Sequence, residues 1–267
     1  MLKKSLPSLG LLLATLTLPF SSHAETSALE NIIQSGELKV CFEAGYIPFE
    51  MMTKDGRYIG FDIDMTKNMA KAIGVKFVPV NTAWDGIIPA LLTGKCDIIA
   101  GGMTITAQRN LKVNFANPYI TVGQTILLSP KLKDKVKSYK DLNDSKYTIV
   151  TMLGTTGANA VKRLLPKAKI DLFETQGDSV LQLTNGKADA MVYDLPYNSI
   201  YTAEHKGNVV HLSKPFTYEP LAWAIRPNDP NFLNFLNNYL HQIKGDGTYD
   251  RIHTKWFETV TWLPKVQ

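Results

Sequence analysis

The sequence predicts an α/β fold in two lobes, each a parallel-rich sheet flanked by helices. Three observations carry this. From Leu38 onward, apolar runs of strand length alternate with amphipathic segments of helix length, the pattern of strands joined by crossover helices. A phrase also recurs. Leu92-Thr93-Gly94-Lys95-Cys96-Asp97-Ile98-Ile99 returns as Leu183-Thr184-Asn185-Gly186-Lys187-Ala188-Asp189-Ala190-Met191, and each copy reads as a helix end, a Gly stop and a buried strand. Finally, the roughly 240 residues beyond the first 24 are many for a single core and comfortable for two lobes of roughly 100 each.

Residues 1–24 stand apart from this pattern. Lys3 and Lys4 form a basic start, 9–20 is mostly apolar but broken by Gly10 and Pro19, and Ser22-His23-Ala24 is a small-residue cleavage site. This reads as a secretory signal peptide cleaved after Ala24. No later stretch is apolar enough for a membrane span, so the mature chain is expected to be exported and soluble. Losing Lys3 and Lys4 lowers the formal charge from +5 to +3. The lysine-rich run 131–137 is interrupted by Asp134 and suits a solvated loop better than a nucleic-acid site.

Strands are expected at 38–42, 75–80, 97–101, 147–151, 170–174, 189–193 and 209–212. Between them, Met65, Met69 and Ile73 share a helical face that Gly74 ends. The segment 84–93 stops at Gly94, 158–165 before Pro166, and 178–184 at Asn185-Gly186. Near the C-terminus, Phe232, Phe235, Leu236, Tyr239, Leu240 and Ile243 form one helical stripe, read as core. Cys41 and Cys96 flank two of the strands. If those strands are parallel neighbours, one Cys lies near a strand end and the other before a strand start. That is beyond the ~7 Å Cα limit for bridging, so two buried free thiols are expected.

The charges after the two copies of the phrase differ. The first runs through Gly101-Gly102-Met103-Thr104 to Arg109, the second ends at Tyr193-Asp194. Ligands of such sheets bind beyond the carboxyl ends of strands. A cation facing an anion across a cleft there complements a zwitterion such as an α-amino acid. Other chemistries find no pattern. His205, His211, His241 and His253 make no i, i+4 metal pair, and no G-x-S-x-G elbow occurs. Gly154-Thr155-Thr156-Gly157 lacks the ending of a phosphate loop, so no cofactor is expected.

The segment Gly60-Phe61-Asp62-Ile63-Asp64-Met65-Thr66-Lys67-Asn68-Met69-Ala70 resembles the signature of the periplasmic polar-amino-acid-binding proteins of ABC importers, the bacterial extracellular solute-binding proteins of family 3. Tyr46-Ile47-Pro48-Phe49-Glu50 precedes it. Trp84-Asp85-Gly86, the stretch from Gly102 to Arg109, Gly154-Thr155-Thr156-Gly157, Asp189 to Asp194 and Lys255-Trp256-Phe257 follow in the family's order. The resemblance implies a type II periplasmic binding protein fold. Lobe one would be 25–122 plus 222–267, lobe two 123–221, with two crossing strands as a hinge. It implies a monomeric periplasmic receptor, not an enzyme, that closes on an amino acid and delivers it to an inner-membrane ABC permease. The rival reading is an exported cyclohexadienyl dehydratase on the same fold, with Glu43 as its acid.

The resemblance also assigns roles. Arg109 would hold the ligand α-carboxylate as a bidentate pair, helped by Thr104 and the Gly102 N–H; read alone, Arg109 would be a surface cap. Thr156 would reach the same carboxylate from the second lobe, whereas Thr155 or Thr156 alone suits an N-cap. Asp194 would pair with the α-ammonium, against the plainer role of capping a helix near Pro196. Tyr46 and Trp84 would flank the ligand side chain, and Glu43 would suit a cationic one. Together Glu43, Tyr46 and Trp84 favour a basic amino acid. Asp62 and Asp64 read as structural acids at a helix start.

Overall fold

Every segment that the apolar pattern marks as a strand enters one of two five-stranded sheets. The structure, a computed structural model, describes residues 27–266; the signal peptide expected over 1–24 lies outside the described residues. The strands are β1 (Glu37–Phe42), β2 (Met51–Met52), β3 (Tyr58–Ile59), β4 (Lys76–Asn81), β5 (Ile98–Ile99), β6 (Asn114–Phe115) and β7 (Ile120–Val122), then β8 (Gln124–Leu128), β9 (Thr148–Met152), β10 (Lys169–Phe173), β11 (Ala190–Asp194), β12 (Val210–Leu212), β13 (Glu219–Leu221) and β14 (Ala224–Ile225). The helices are α1 (Ala28–Ser35), α2 (Phe61–Ile73), α3 (Ile87–Leu92), α4 (Ala107–Asn110), α5 (Thr156–Leu164), α6 (Gln176–Thr184), α7 (Leu195–Glu204), α8 (Pro230–Gly245) and α9 (Thr248–His253).

The first sheet has the order β4-β1-β5-β14-β6 and the second β10-β9-β11-β8-β12. In both, the first three strands are parallel and the last two pair antiparallel. The antiparallel fourth strands have one origin. The chain leaves the first sheet through β7 and enters the second as β8; it returns through β13 and enters the first as β14. β7 and β13 pair with each other, Val122 opposite Glu219 and Ile120 opposite Leu221. Alternation of strands with helices could not announce β8 or β14, because no helix precedes either.

Local chemistry sets the helix ends. The Thr155 hydroxyl accepts from Ala158 N and so caps α5, leaving Thr156 free of that duty. Asp229 caps α8 and also accepts from Ser27 Oγ and Ala28 N, which fastens the start of α1 to the start of α8. The C-terminal stripe is core as expected: Phe232, Leu236, Tyr239, Leu240 and Ile243 are buried and Phe235 packs partly buried beside them. Asp64 accepts from Lys255 Nζ (2.6 Å) and Trp256 Nε1 (2.8 Å), pinning the chain end to α2.

The cysteines are not free. Cys41 and Cys96 form a disulfide with Cα atoms 5.7 Å apart. The expectation failed because β5 is only two residues long: Val40 pairs with Ile98 and Cys41 with Ile99. The chain reaches β5 through a turn at Thr93-Gly94 and bends at Lys95 and Asp97, so Cys96 is carried back onto β1 rather than trailing behind an extended strand.

Candidate functional site

The carboxyl ends of β1, β5, β9 and β11 face one narrow cavity between the two sheets. All eight residues expected at the site line it: Glu43, Tyr46, Trp84, Gly102, Thr104, Arg109, Thr156 and Asp194. So do Glu50, Gly101, Gln124, Met152, Thr155 and Tyr193.

Asp194 ends β11 at the N-cap position of α7, yet its side chain makes no capping bond. It accepts instead from the Tyr46 hydroxyl at 2.6 Å and from Gln124 Nε2, so the plain capping role does not account for it. Burial pushes its carboxyl up to about 7. The Tyr46 bond opposes this, Glu219 adds to it, and Arg109 and Gln124 work against it.

Arg109 lies within α4, whose N-cap Thr106 accepts from Arg109 N. Its guanidinium donates to Thr104 O (2.9 Å) and, from the second lobe, Gly154 O (3.2 Å), and stacks 5.4 Å from the Trp84 ring. Trp84 Nε1 donates to the same Gly154 O at 3.2 Å. Burial pulls the guanidinium pKa down, while Glu219 and Asp194 hold it up. Thr104 is buried and bridges Leu221 at the crossing strands.

The Gly102 N–H, expected to donate to a ligand carboxylate, has other partners. It donates to Asp62 Oδ2 at 2.9 Å, and Tyr119 Oη donates to the same oxygen at 2.8 Å. Gly102 contributes through what it lacks. Its φ is +62°, and a Cβ there would run into the Tyr46 ring. Asp62 is indeed structural, but its work is to hold this strand-end turn. Burial lifts its carboxyl to about 7, with the Tyr119 and Gly102 bonds opposing.

Other contacts bridge the two sheets beside Glu43 and Tyr46. Gln176 Nε2 donates to Glu43 Oε2 at 3.2 Å, and the Tyr46 and Tyr193 rings meet edge to face at 5.6 Å. Glu43 is half-buried, and desolvation raises its pKa against the Gln176 bond. Thr156 Oγ1 accepts a long bond of 3.4 Å from Gln124 Nε2. Gln124 and Glu50 were missed by the sequence reading. Gln124 starts β8, a strand the alternation did not signal. Glu50 sits in the Tyr46-Ile47-Pro48-Phe49-Glu50 motif, of which the resemblance assigns a role to Tyr46 alone. Among the described residues no group of three or more His, Cys, Asp or Glu is arranged to hold a metal ion.

The model of the bacterial extracellular solute-binding proteins, family 3, matches residues 38–259. A probable histidine-binding protein of Neisseria gonorrhoeae is 35% identical over 224 residues, covering 82% of each chain. A cyclohexadienyl dehydratase of Pseudomonas aeruginosa is 28% identical over 239 residues, covering 89% of each. Among solved structures, the putative binding component of an ABC transporter from Wolinella succinogenes, complexed with lysine, shares 51% identity at a TM-score of 0.83. The match covers 86% of this chain and 99% of that one.

Proposed function

This chain belongs to the bacterial extracellular solute-binding proteins, family 3, and we propose that it is the receptor of an ABC importer for a basic amino acid. The observation that carries this is a cation and an anion, Arg109 and Asp194, set into one small cavity between two sheets. In this reading the α-carboxylate lies against Arg109, Thr104 and Thr156, and the α-ammonium on Asp194. Tyr46 and Trp84 flank the side chain, whose cation faces Glu43. Lysine in the Wolinella relative supports the basic class. The lobes are 25–122 plus 222–267 and 123–221. They swing about β7 and β13, so that a ligand touching both favours closure. The protein works as a monomer, is exported to the periplasm by a cleaved signal peptide, and hands its ligand to an inner-membrane permease.

A second reading has a specific observation behind it. Besides Asp194, two carboxyl groups, Glu43 and Glu50, line the cavity, and a dehydratase needs an acid there to protonate a leaving hydroxyl. A thermal-shift screen of the natural amino acids with prephenate and arogenate separates the two, since a tight ligand stabilises by mass action. The receptor reading expects the largest shift from lysine, arginine or histidine and no product from prephenate. Turnover of prephenate or arogenate overturns it.

A further inference from the structure

Glu50 is a cavity carboxyl that the receptor geometry leaves without a task. It is 1% exposed, and its Oε2 is buried with no hydrogen-bond partner. Gly101 makes room for it: a Cβ on that residue would stand 3.3 Å from Glu50 Oε1. The titratable groups around it are Glu43 at the end of β1, Asp62 from α2, Tyr46 from its own loop, Tyr119 and, from β11, Tyr193. All of them are acids. No Lys, Arg or His makes a salt bridge to it among the described residues. Asp62, its buried neighbour, is accounted for by its bonds to Gly102 and Tyr119; Glu50 has no such structural explanation.

A buried carboxylate facing only acids is strongly disfavoured, so the group rests neutral. Burial, then the charges of Asp62 and Glu43, push its pKa well above the usual range. A cation arriving at the same end of the cavity reverses that balance. We propose that Glu50 and Glu43 form a two-carboxyl site for the ligand's side-chain cation, and that Glu50 releases its proton to solvent when the cation binds. The O–H bond of the carboxylic acid breaks, the proton passes to bulk water, and the carboxylate accepts an N–H from the cation. This rests on the amino-acid receptor reading and adds that uptake of a basic ligand is proton-linked at a residue outside the α-amino and α-carboxyl contacts.

The test is calorimetry of the full mature chain near neutral pH, in two buffers of different ionisation enthalpy, with arginine and its uncharged isostere citrulline. Asp194 meets the α-ammonium of both ligands, so its proton cancels in the comparison. The expected result is more proton release with arginine than with citrulline. Glu50→Gln is expected to abolish that difference and to weaken arginine about ten- to a hundredfold, more than it weakens citrulline. Equal release by the two ligands in the wild type, or native arginine affinity in the variant, overturns the proposal. So does a wild type that binds only neutral amino acids, a result that leaves the receptor reading standing. If no amino acid binds, the receptor reading itself fails and this inference with it. Should Glu50→Gln not fold, Glu43→Gln takes its place: the extra release with arginine is expected to persist in it, and its loss overturns the assignment to Glu50.

Discussion

β5 and β11 hold the same place, third in sheets of matching order, and each arrives from a helix through a turn and a Lys-x-Asp step. Even the Asp does the same work. Asp97 N donates to Lys39 O while its carboxylate accepts from Lys39 N at 2.9 Å. Asp189 does so with Thr148 at 2.9 and 2.8 Å. Beyond those strands the lobes part company. After β5 the chain turns at Gly101-Gly102 and climbs to Arg109; β11 runs straight into Asp194 and α7. The repeat therefore specifies how a strand is inserted into a sheet. The charges that line the cavity lie in residues that the repeat does not share: one frame is finished with Arg109, the other with Asp194.

The largest expected effect comes from removing one of those endings. Arg109→Ala should weaken amino-acid binding by about 3–5 kcal/mol, since a buried carboxylate then faces Asp194 uncompensated. Near-native affinity by calorimetry would move the carboxylate site elsewhere. Asp194→Asn on the opposite lobe should follow at about 2–4 kcal/mol, from a lost charge-assisted bond in a dry cleft.

Asp194 also carries a pH signature. Its folded pKa of about 7 lies above its ordinary value of 3.8. Between those values the folded chain keeps a proton that the unfolded chain has lost. This contribution to stability is full below the unfolded pKa and is lost as pH rises to about 7. Ligand affinity runs the other way, because only the carboxylate pairs with an ammonium. Melting curves of the free protein from pH 5 to 8 should fall less steeply in Asp194→Asn than in the wild type. Identical slopes would show that this carboxyl is ionised throughout.

The disulfide is a further difference between the frames. In the second sheet the positions matching Cys41 and Cys96 are Val150 and Ala188, both buried. Giving the first lobe the second lobe's pair, Cys41→Val with Cys96→Ala, should lower stability by about 2–4 kcal/mol, because a 55-residue separation is no longer closed in the unfolded chain. Ligand affinity should barely change, as neither Cys lines the cavity. A large loss of affinity at unchanged stability would mean that the bridge sets the position of Glu43, two residues beyond Cys41.

What the sequence made legible follows from range. Strand and helix periodicity, helix stops and the repeated phrase are local, and those elements appear where expected. Arg109 and Asp194 could be placed because they follow strands that the pattern marks. β8, β14 and the Cys41–Cys96 bond depend on where the chain lies after crossing between sheets or turning at Thr93-Gly94, which no local pattern encodes. Glu50 escaped notice because its meaning is relational: it is an ordinary loop acid until Glu43, Asp62 and Gly101 are seen around it.

The smallest effect tests the equivalence itself. Asp189→Ala removes a carboxylate that accepts the Thr148 N–H and should cost about 1 kcal/mol, the loss of one partly buried hydrogen bond. Asp97→Ala removes the same bond to Lys39, but it also frees Arg226, which lies 3.7 Å from Asp97 and donates to Leu91 O and Cys96 O. Those carbonyls end α3 and flank the disulfide, so the first lobe should lose more than the second. Urea midpoints at equal slope measure both. Equal losses would mean that the two carbonyls alone hold Arg226 in place. A loss in one lobe and none in the other would mean that the repeated Asp stabilises only one sheet, and the match between the frames would then reach no further than their strand order.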